Sequence, residues 1–339
     1  MLNFDDARFL RIQSGAVGLA PRIDGAVSAA LGAGAQNLYF LGTGGVAFLM
    51  QPAHLLLQRR SSFPTFVDYP AELVLTGAAS LTSDSVAVIP SLSGTTKESV
   101  AMLSALKEIG ATTMTLVGHE DTPLGREGDH VFVNFAEDDT SSESFYLQSL
   151  CLALSVMKAR GELDAGEYDR LLSELTRLPE LLLEVKRGFE PEAEAFAAKI
   201  AGAGYHMFTG AGNVWPQAHY YGMCILEEMQ WIRTRPVHAS DFFHGALELI
   251  EKDVSLILFK GEDAYRPLAD RVEAFAPKVT DRLTILDSRD FALPGISDDV
   301  RGLISPIVLA TVLERVSAHL EVMRDHPLVT RRYYKQLDY

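Results

Sequence analysis

The sequence is poor in cysteine and in positive charge. Among 339 residues it has only Cys151 and Cys224, both in apolar surroundings, which favours buried thiols in a reducing compartment over a disulfide. It has 30 Lys and Arg residues against 45 Asp and Glu, a formal net charge of −15, and no long basic run. This balance argues against nucleic acid and anionic membrane surfaces as partners.

Signals for export and membrane insertion are also missing. The N-terminal residues are acidic where a signal peptide is basic, and no apolar run approaches the roughly 18–20 residues of a membrane span. With 47% hydrophobic and 22% charged residues, the chain has enough apolar content for sizeable cores, and its length allows about two domains. We therefore expect a folded, soluble, cytoplasmic protein.

The stretch from Ser85 to Leu106 combines a buried strand, a loop of small hydroxylated residues and a helix. Val86–Ile89 is the apolar strand, and Thr95 and Glu98 have the spacing of a capping box at the helix start. Free N–H groups and the positive dipole end of such a helix favour an anion. Because the lysine of a Walker motif is missing, the loop predicts a single phosphate monoester; the alternative is a polar turn that only stabilises its helix. The loop residues expected at the ligand are Ser91, Leu92, Ser93, Gly94 and Thr96.

Strand and helix patterns alternate through the first half of the chain. This alternation predicts an α/β fold with a doubly wound parallel sheet and ligands at the carboxyl ends of its strands. The other predicted strands are Asn37–Leu41, Phe63–Val67, Thr113–Val117 and Val131–Asn134. The predicted helices cover residues 1–34 with a break at Pro21, Val46–Arg59, Ser141–Arg160, and two segments of 165–202 separated near Pro191.

The second half repeats the first at an offset of 168 residues. Tyr205–Gly212 echoes Asn37–Gly44, and further strands are expected at Val254–Phe259 and Leu283–Asp287. At the position of the hydroxylated loop the second copy has Glu262 and Asp263, whose carboxylates repel a phosphate, so only the first copy is expected to bind one. The predicted organisation is an N-terminal helical segment (1–34), a first domain (35–165), a helical linker (166–200), a second domain (201–325) and a tail (326–339).

Two residues of the second copy suggest acid–base chemistry. Glu228 lies among apolar residues, next to Met229 and close to Trp231, a setting expected to raise the pKa of its carboxyl group. His244 follows sixteen residues later, and a carboxylate with an imidazole suits proton transfer. Each also has an ordinary explanation, a solvated helix face for the glutamate and a core or interface position for the histidine.

Together these motifs resemble the double sugar-isomerase (SIS) domain family. The resemblance rests on the Ser-x-Ser-Gly-x-Thr loop, on Gly42-Thr43-Gly44 and on the Glu228…His244-Gly pair, and it covers the chain from about residue 35 to the end. The family includes the isomerase half of glucosamine-6-phosphate synthase and the ketosamine-6-phosphate deglycases. It implies two tandem SIS domains, each a three-layer α/β/α sandwich of flavodoxin-like type, and no metal or organic cofactor.

The resemblance also implies roles for individual residues. Ser91, Ser93 and Thr96 would hold a sugar 6-phosphate, beside Gly42, Thr43 and Gly44, although the synthase has a serine where Gly44 stands. Ser141 and Ser142 would lie near the sugar hydroxyls. Glu228 would be the general base and His244 the acid or ring-opening group, reaching a neighbouring subunit's site, which implies at least a homodimer. The tail from His326 to Lys335 resembles the deglycase ending, and Arg332 or Lys335 would replace the tail lysine of the synthase over the sugar.

The implied reaction is breakdown of a 6-phosphorylated ketosamine to glucose 6-phosphate and a free amine. The sequence leaves the amine open: an acidic amino acid requires nearby cations, for which Arg233, Arg235 and the tail arginines are candidates. An isomerase or deaminase of a 2-amino-sugar 6-phosphate uses the same loop and proton transfers. A non-catalytic sugar-phosphate sensor is a third possibility, although it has no need of Glu228 and His244.

Two further hypotheses about the function rest on other residues. Gly42, Gly44 and Ala47 satisfy the G-x-G-x-x-A pattern of nicotinamide dehydrogenases, with Asp68 as a ribose contact, but this leaves the serine loop and the duplication unexplained. A metal site built from the second-half histidines has no familiar ligand spacing, and Cys224 has no partner cysteine nearby. The histidines in question are His206, His219, His238 and His244.

Overall fold

The computed structural model describes residues 1–136, 141–334 and 336–338. They form two compact units, the first spanning Asp6–Glu180 and the second combining Met1–Asp5 with Leu181–Tyr339. The change of unit at residue 180 falls inside the segment predicted as a linker. The assignment of residues 1–5 to the second unit has no signal in the sequence.

The first unit is built on a five-stranded parallel sheet. Its strands are β1 (Asn37–Phe40), β2 (Thr65–Val67), β3 (Ser85–Ser91), β4 (Thr112–Val117) and β5 (His130–Val133). The spatial order β2-β1-β3-β4-β5 is that of a flavodoxin-like doubly wound fold, as predicted. The helices are α1 (Asp6–Gly18), α2 (Ala20–Gly32), α3 (Gly45–Arg60), α4 (Pro70–Thr76), α5 (Lys97–Ile109), α6 (Pro123–Glu127), α7 (Ser141–Ala159) and α8 (Ala165–Leu175).

The central strand β3 was predicted from its apolar residues. All seven of its residues are buried, as expected for a parallel strand covered by helices on both faces. It lies beside β1, and the chain leaves these two strands in opposite directions across the sheet. A doubly wound sheet opens a crevice at this point, so the loops after β1 and β3 are the expected ligand-binding loops.

The second unit has a four-stranded parallel sheet that repeats this arrangement. Its strands are β6 (Tyr205–Gly210), β7 (Arg233–His238), β8 (Ser255–Lys260) and β9 (Leu283–Asp287). Their order β7-β6-β8-β9 matches the first four positions of the first sheet, which confirms the internal duplication. The helices are α9 (Leu178–Ala201), α10 (Trp215–Tyr220), the π-helix Tyr221–Glu227, α11 (Glu228–Gln230), α12 (Arg266–Phe275) and α13 (Asp298–Met323), with 3₁₀ turns at Gly212–Val214, Ala246–Leu249, Ala276–Lys278 and Ser288–Asp290.

One expectation about a long helix was wrong. The predicted break near Pro191 does not occur, because Pro191 lies inside α9 and the chain breaks instead at residues 176–177. Buried apolar residues occur on both sides of the proline, Leu183 before it and Phe196 after it, and their packing favours a continuous helix. Helix α13 has the length and apolar composition to cross a membrane, with a window of mean hydropathy 1.4, but 83% of that window is buried within the protein, the pattern of a core helix.

Both cysteines are free and buried, as the sequence predicted. Burial raises the pKa of the Cys151 thiol to about 12, against a smaller opposing effect of a backbone hydrogen bond. Burial likewise raises the pKa of Cys224 to about 12, and the nearby carboxylates of Glu228 and Glu227 add to the shift. Thiols held so far from ionisation are poor nucleophiles and poor metal ligands.

A buried ionic cluster fastens the N-terminal residues to the second unit. The Arg315 side chain is fully buried, and its Nε donates to Glu190 Oε2 at 2.7 Å. The same guanidinium donates to the carbonyl of Leu2, whose own N–H donates to Glu190 Oε1 at 2.7 Å. His319 Nε2 lies 3.1 Å from that oxygen, and the Phe4 ring covers the Arg315 guanidinium at 5.0 Å.

This cluster predicts an acid-dependent loss of stability. Burial raises the pKa of Glu190, but hydrogen bonds from Arg315 and Leu2 and the charges of Arg315 and His319 outweigh it and lower the pKa to about 2. Since the folded pKa lies below the unfolded value, the stabilisation is complete above about pH 4.5 and is lost as the pH falls toward 2. Glu190→Gln should remove up to about 3 kcal/mol at pH 7 and much less at pH 3.

Urea unfolding followed by circular dichroism at pH 7 and pH 3 measures this difference. The control is Glu192→Gln, an exposed carboxylate on the same helix, which should behave as the wild type at both pH values. An equal loss of stability on acidification in wild type and Glu190→Gln would contradict the assignment.

Candidate active site

The loop after β3 folds back on its first residue. Ser91 is buried, and its Oγ accepts a hydrogen bond from the Gly94 N–H at 3.1 Å and lies 3.3 Å from the Thr96 Oγ1. Leu92 accepts a hydrogen bond at its carbonyl from Gly118 N–H at 3.1 Å. The hydroxyls of Ser91 and Thr96 are therefore brought together by the backbone of the loop, as a shared anion site requires.

Gly94 fixes this loop in a shape that other residues do not fit. Its φ is +65°, and a Cβ there would lie 2.1 Å from the Thr122 Oγ1. Its carbonyl accepts a hydrogen bond from the Leu124 N–H at 3.2 Å, so the loop is anchored to the first turn of α6. Such anchoring holds N–H groups and hydroxyls in place before a ligand arrives, which lowers the entropy cost of binding.

The predicted capping box is wrong. The N-cap of α5 is Thr96, and no side chain of a described residue caps the helix. Thr95 instead bonds to Ser93, with its N–H 3.3 Å and its Oγ1 3.1 Å from the Ser93 Oγ. A helix that begins without a side-chain cap leaves first-turn N–H groups available to an anion. The Ser99 hydroxyl, in that first turn, is buried and has no partner among the described residues. No motif in the sequence analysis selected it.

The loop after β1 supplies the other side of the crevice. Gly44 is the N-cap of α3 with φ +65°, and the space where its Cβ would stand is open. A Cβ on Gly42 would lie 2.7 Å from the Ala47 Cα, so this glycine is needed for α3 to pack on β1. The Thr43 Oγ1 is buried without a partner among the described residues. An unsatisfied hydroxyl beside an open backbone turn fits a polar ligand at this edge.

Ser141 and Ser142 open helix α7, also in the first unit. Ser141 is buried and Ser142 is half-buried. They directly follow residues 137–140, which lie outside the described part of the chain. Their assignment to the sugar hydroxyls stays a prediction.

Glu228 stands at a distorted point of the second unit. The seven-residue π-helix Tyr221–Glu227 leads directly into it, and Trp231, just after α11, has a left-handed backbone with φ +54°. π-helical turns and strained non-glycine residues concentrate at functional sites. The Glu228 side chain is 38% exposed, so it is open to a ligand on one side.

The C-terminal tail contacts this region through residues that the sequence did not single out. The Nε of Arg331 donates to Glu228 Oε1 at 3.0 Å. The setting of Glu228 is therefore not purely apolar, because a cation from the tail lies against it. Arg332, the residue predicted over the sugar, places its guanidinium 4.1 Å from the Trp231 ring. Lys335, the alternative, lies outside the described residues.

His244 is exposed in a turn between β7 and β8. Its backbone N–H donates to the Asp241 carbonyl at 2.8 Å. Among the described residues its ring takes part in no hydrogen bond or ion pair, so the structure does not join the predicted acid directly to the predicted base. An exposed imidazole remains available to a neighbouring subunit.

The loop of the second unit that corresponds to the serine loop is occupied by the protein's own carboxylates. Glu262 accepts two hydrogen bonds from Arg301, each of 2.8 Å, and one from the Ser288 hydroxyl at 3.0 Å. Asp263 accepts the N–H groups of Asn213 at 2.8 Å and Tyr265 at 2.9 Å. These contacts agree with the expectation that only the first copy offers an open anion loop.

Three of the four histidines considered for a metal site contact other groups of the protein. His206 is fully buried, with Nδ1 2.8 Å from the Ser255 hydroxyl and Nε2 3.1 Å from the Ile200 carbonyl, so both ring nitrogens are engaged. His219 and His238 both contact the Trp215 ring. Burial lowers the pKa of each of these three histidines. No cluster of potential ligands for a metal ion occurs within the described ranges.

Comparison with known proteins identifies relatives of the chain. Residues 33–158 match the model of the SIS domain. The chain is 29% identical over 311 residues to the fructosamine deglycase FrlB of Bacillus subtilis strain 168, covering 90% of this chain and 93% of that protein. It is 24% identical to the fructoselysine 6-phosphate deglycase of Escherichia coli strain K12, covering 71% and 68%.

A solved structure extends the likeness to the fold. The crystal structure of a candidate phosphosugar isomerase from Salmonella typhimurium LT2 superposes with a TM-score of 0.87 at 29% sequence identity, covering 96% of this chain and 99% of that one. The similarity therefore spans both units, while the SIS model matches the unit that carries the serine loop. The match of residues 33–158 to the SIS domain, with the similarity to the fructosamine deglycase, confirms the predicted resemblance of this chain to SIS-domain proteins.

Proposed function

We propose that the protein is a sugar-isomerase-type enzyme that breaks down a 6-phosphorylated ketosamine, releasing glucose 6-phosphate and a free amine. The observation that carries this is the serine loop before an uncapped helix, in a chain similar over 90% of its length to a fructosamine deglycase. A phosphate has the size and charge for such a loop.

In this proposal the first unit binds the phosphate. Ser91, Ser93 and Thr96 donate hydroxyl hydrogen bonds, and the N–H groups of the loop and of the first turn of α5 add fixed partial positive charge. The protein carries a net charge of −15, so local donors must outweigh an unfavourable overall field. Binding energy at the phosphate, remote from the reacting carbons, orients the reacting end of the substrate.

The second unit supplies the proton transfers. Glu228 removes a proton from C1 of the ketosamine, the C1–C2 double bond forms, and the C2 carbonyl becomes the hydroxyl of a 1,2-enaminol. A proton returned at C2 gives an imine at C1, water adds to that imine, and the carbon–nitrogen bond breaks to release the amine. His244 is proposed to donate a proton or to open the sugar ring from a neighbouring subunit, which makes the active form at least a dimer.

The proposed deglycase activity has further consequences for the sugar contacts, the cofactors and the location of the protein. Ser141 and Ser142 contact sugar hydroxyls, and the enzyme works without a metal or organic cofactor. The free thiols of Cys151 and Cys224 support a reducing, cytoplasmic location.

A coupled assay tests the proposal directly. The 6-phosphates of fructoselysine, fructose-glutamine and fructose-aspartate are offered to the purified protein, with glucosamine 6-phosphate alongside, and glucose 6-phosphate is detected through its dehydrogenase and NADP. We expect release from at least one ketosamine. Activity on glucosamine 6-phosphate alone would favour an amino-sugar isomerase or deaminase, and tight binding without turnover would favour a sensor.

A further inference from the structure

Arg331 is held rigidly against Glu228. Its Nη1 donates to the backbone carbonyls of Leu328 at 2.6 Å and Thr330 at 3.0 Å, while its Nε donates to Glu228 Oε1 at 3.0 Å. The side chain is only 15% exposed. Three hydrogen bonds from two of its nitrogens fix the plane of the guanidinium, so its orientation is set before any ligand arrives.

One edge of this guanidinium is only partly used. Nε–H and Nη2 point in parallel along the edge that receives a carboxylate with two hydrogen bonds. Glu228 contacts that edge with Oε1 at Nε alone. Among the described residues, Nη2 has no hydrogen-bond partner, and it is not one of the buried unsatisfied atoms. The edge can therefore accept a second carboxylate.

The tail around Arg331 is fastened to the helix that carries Glu228. The His326 carbonyl accepts a hydrogen bond from Gln230 Nε2 at 2.6 Å, and its ring packs on Trp231 at 4.5 Å. The Arg332 guanidinium lies over the same Trp231 ring, 4.1 Å from its centre. These contacts keep the Arg331 edge at a constant place relative to the Glu228 carboxylate.

We propose that Arg331 recognises the carboxylate of the amino acid carried by the substrate and selects ketosamines linked through the α-nitrogen. This inference rests on the proposed function, in which Glu228 removes the proton from C1. In an α-linked ketosamine the carboxylate carbon is three covalent bonds from C1, and in an ε-linked lysine conjugate it is seven. Arg331 contacts the base that acts on C1, so it is close enough to C1 to bind a carboxylate only three bonds away.

Binding also changes the state of the base. A substrate carboxylate that takes both Nε–H and Nη2–H displaces Glu228 Oε1 from Arg331. This exchange takes the Arg331 contact away from Glu228, next to the carbon that it must deprotonate. A substrate without the carboxylate leaves Glu228 paired, so it should lose both binding and turnover.

The simpler alternative is that the ion pair only fixes the tail to the protein. The test separates the two by using substrates that differ in charge alone, the fructosamine 6-phosphates of glycine and of glycinamide. The wild type should prefer the glycine conjugate by about tenfold or more in kcat/KM, the range expected for hydrogen bonds to a charged group.

The variant arm uses Arg331→Gln with Arg332→Gln as the matched control. Both remove one positive charge from neighbouring tail positions, but only Arg331 contacts Glu228. Arg331→Gln should reduce the ratio of kcat/KM for the two conjugates to about twofold or less, mainly because kcat/KM for the glycine conjugate falls. Arg332→Gln should keep the wild-type ratio. Thermal melting of each variant verifies that the protein is folded.

The outcomes are distinct. Equal use of both substrates by the wild type, or an unchanged preference in folded Arg331→Gln, overturns the inference and leaves the deglycase proposal standing. The wild-type comparison alone can do this, even if the variants do not fold. Turnover of neither conjugate, nor of any ketosamine in the coupled assay, overturns the proposed function and this inference with it.

Discussion

Glu228→Gln should lower kcat of the purified protein by at least about 10²-fold while the fold is kept. The amide has the shape of the carboxylate but no basicity, so the C1 proton has no acceptor; general base catalysis contributes about 10²–10⁴-fold in rate. The side chain is 38% exposed, so the change removes no core packing, and the amide oxygen can still accept from Arg331. The measurement is the coupled release of glucose 6-phosphate under saturating substrate.

The neighbouring Glu227→Gln is the matched control. Glu227 is exposed on the same helical turn and accepts hydrogen bonds from the Thr234 N–H at 3.0 Å and hydroxyl at 2.8 Å, away from Arg331. Its replacement should leave kcat within about threefold of the wild type. Near-normal turnover by folded Glu228→Gln would remove this residue from the mechanism, and equal losses in both variants would point to a structural effect.

The parts of the fold that could be predicted from the sequence are the buried strands, which appear as short apolar runs. Strand β3 is buried along its whole length, as is β8, and each appears in the sequence as a continuous apolar segment. The duplication then followed from the repeated strand and glycine turn at Tyr205–Gly212. The edge strand β7 escaped prediction, because its sequence RTRPVH is polar, half exposed and contains Pro236.

The candidate site also has parts that the sequence predicts and parts that it does not. The serine loop was found because its residues are adjacent in the chain, and local spacing was enough to predict an anion site there. The capping box failed because two local arrangements compete, and Thr95 bonds to Ser93 while Thr96 begins the helix. The contact between Arg331 and Glu228 joins residues 103 positions apart, and nothing in local spacing selects that arginine over its neighbours.

Ser93→Glu should abolish phosphosubstrate binding, with kcat/KM falling by about 10³-fold or more. The position is chosen by the sheet register. Leu38 pairs with Val86 in the first unit and His206 with Ser255 in the second, so the two registers make Ser93 equivalent to Glu262. A glutamate at 93 would place in the first unit the negative charge that the second already has. Juxtaposed like charges cost several kcal/mol, and each 1.36 kcal/mol is about tenfold in rate.

Two controls separate charge from lost contact. Ser93→Ala removes the hydroxyl alone and should cost about tenfold, the value of one hydrogen bond to a charged group. Ser104→Glu adds the same charge on an exposed position of α5 and should change kcat/KM by less than about twofold, because screening weakens exposed charges. Ser93 is only half-buried, so thermal melting of Ser93→Glu should stay close to that of the wild type.

The decisive comparison uses a substrate that lacks the phosphate. If the loop after β3 binds the 6-phosphate, an unphosphorylated ketosamine gains nothing from Ser93, and its low rate should be the same in wild type and Ser93→Glu. The penalty of the glutamate would then appear only with the phosphorylated substrate, mainly as a rise in KM. An equal penalty on both substrates would mean that the glutamate distorts the site, and no penalty on either would move the phosphate away from this loop. In the expected case, one carboxylate accounts for the different roles of the two copies: Glu262 fills the anion loop of the second unit, and Ser93 leaves that of the first open.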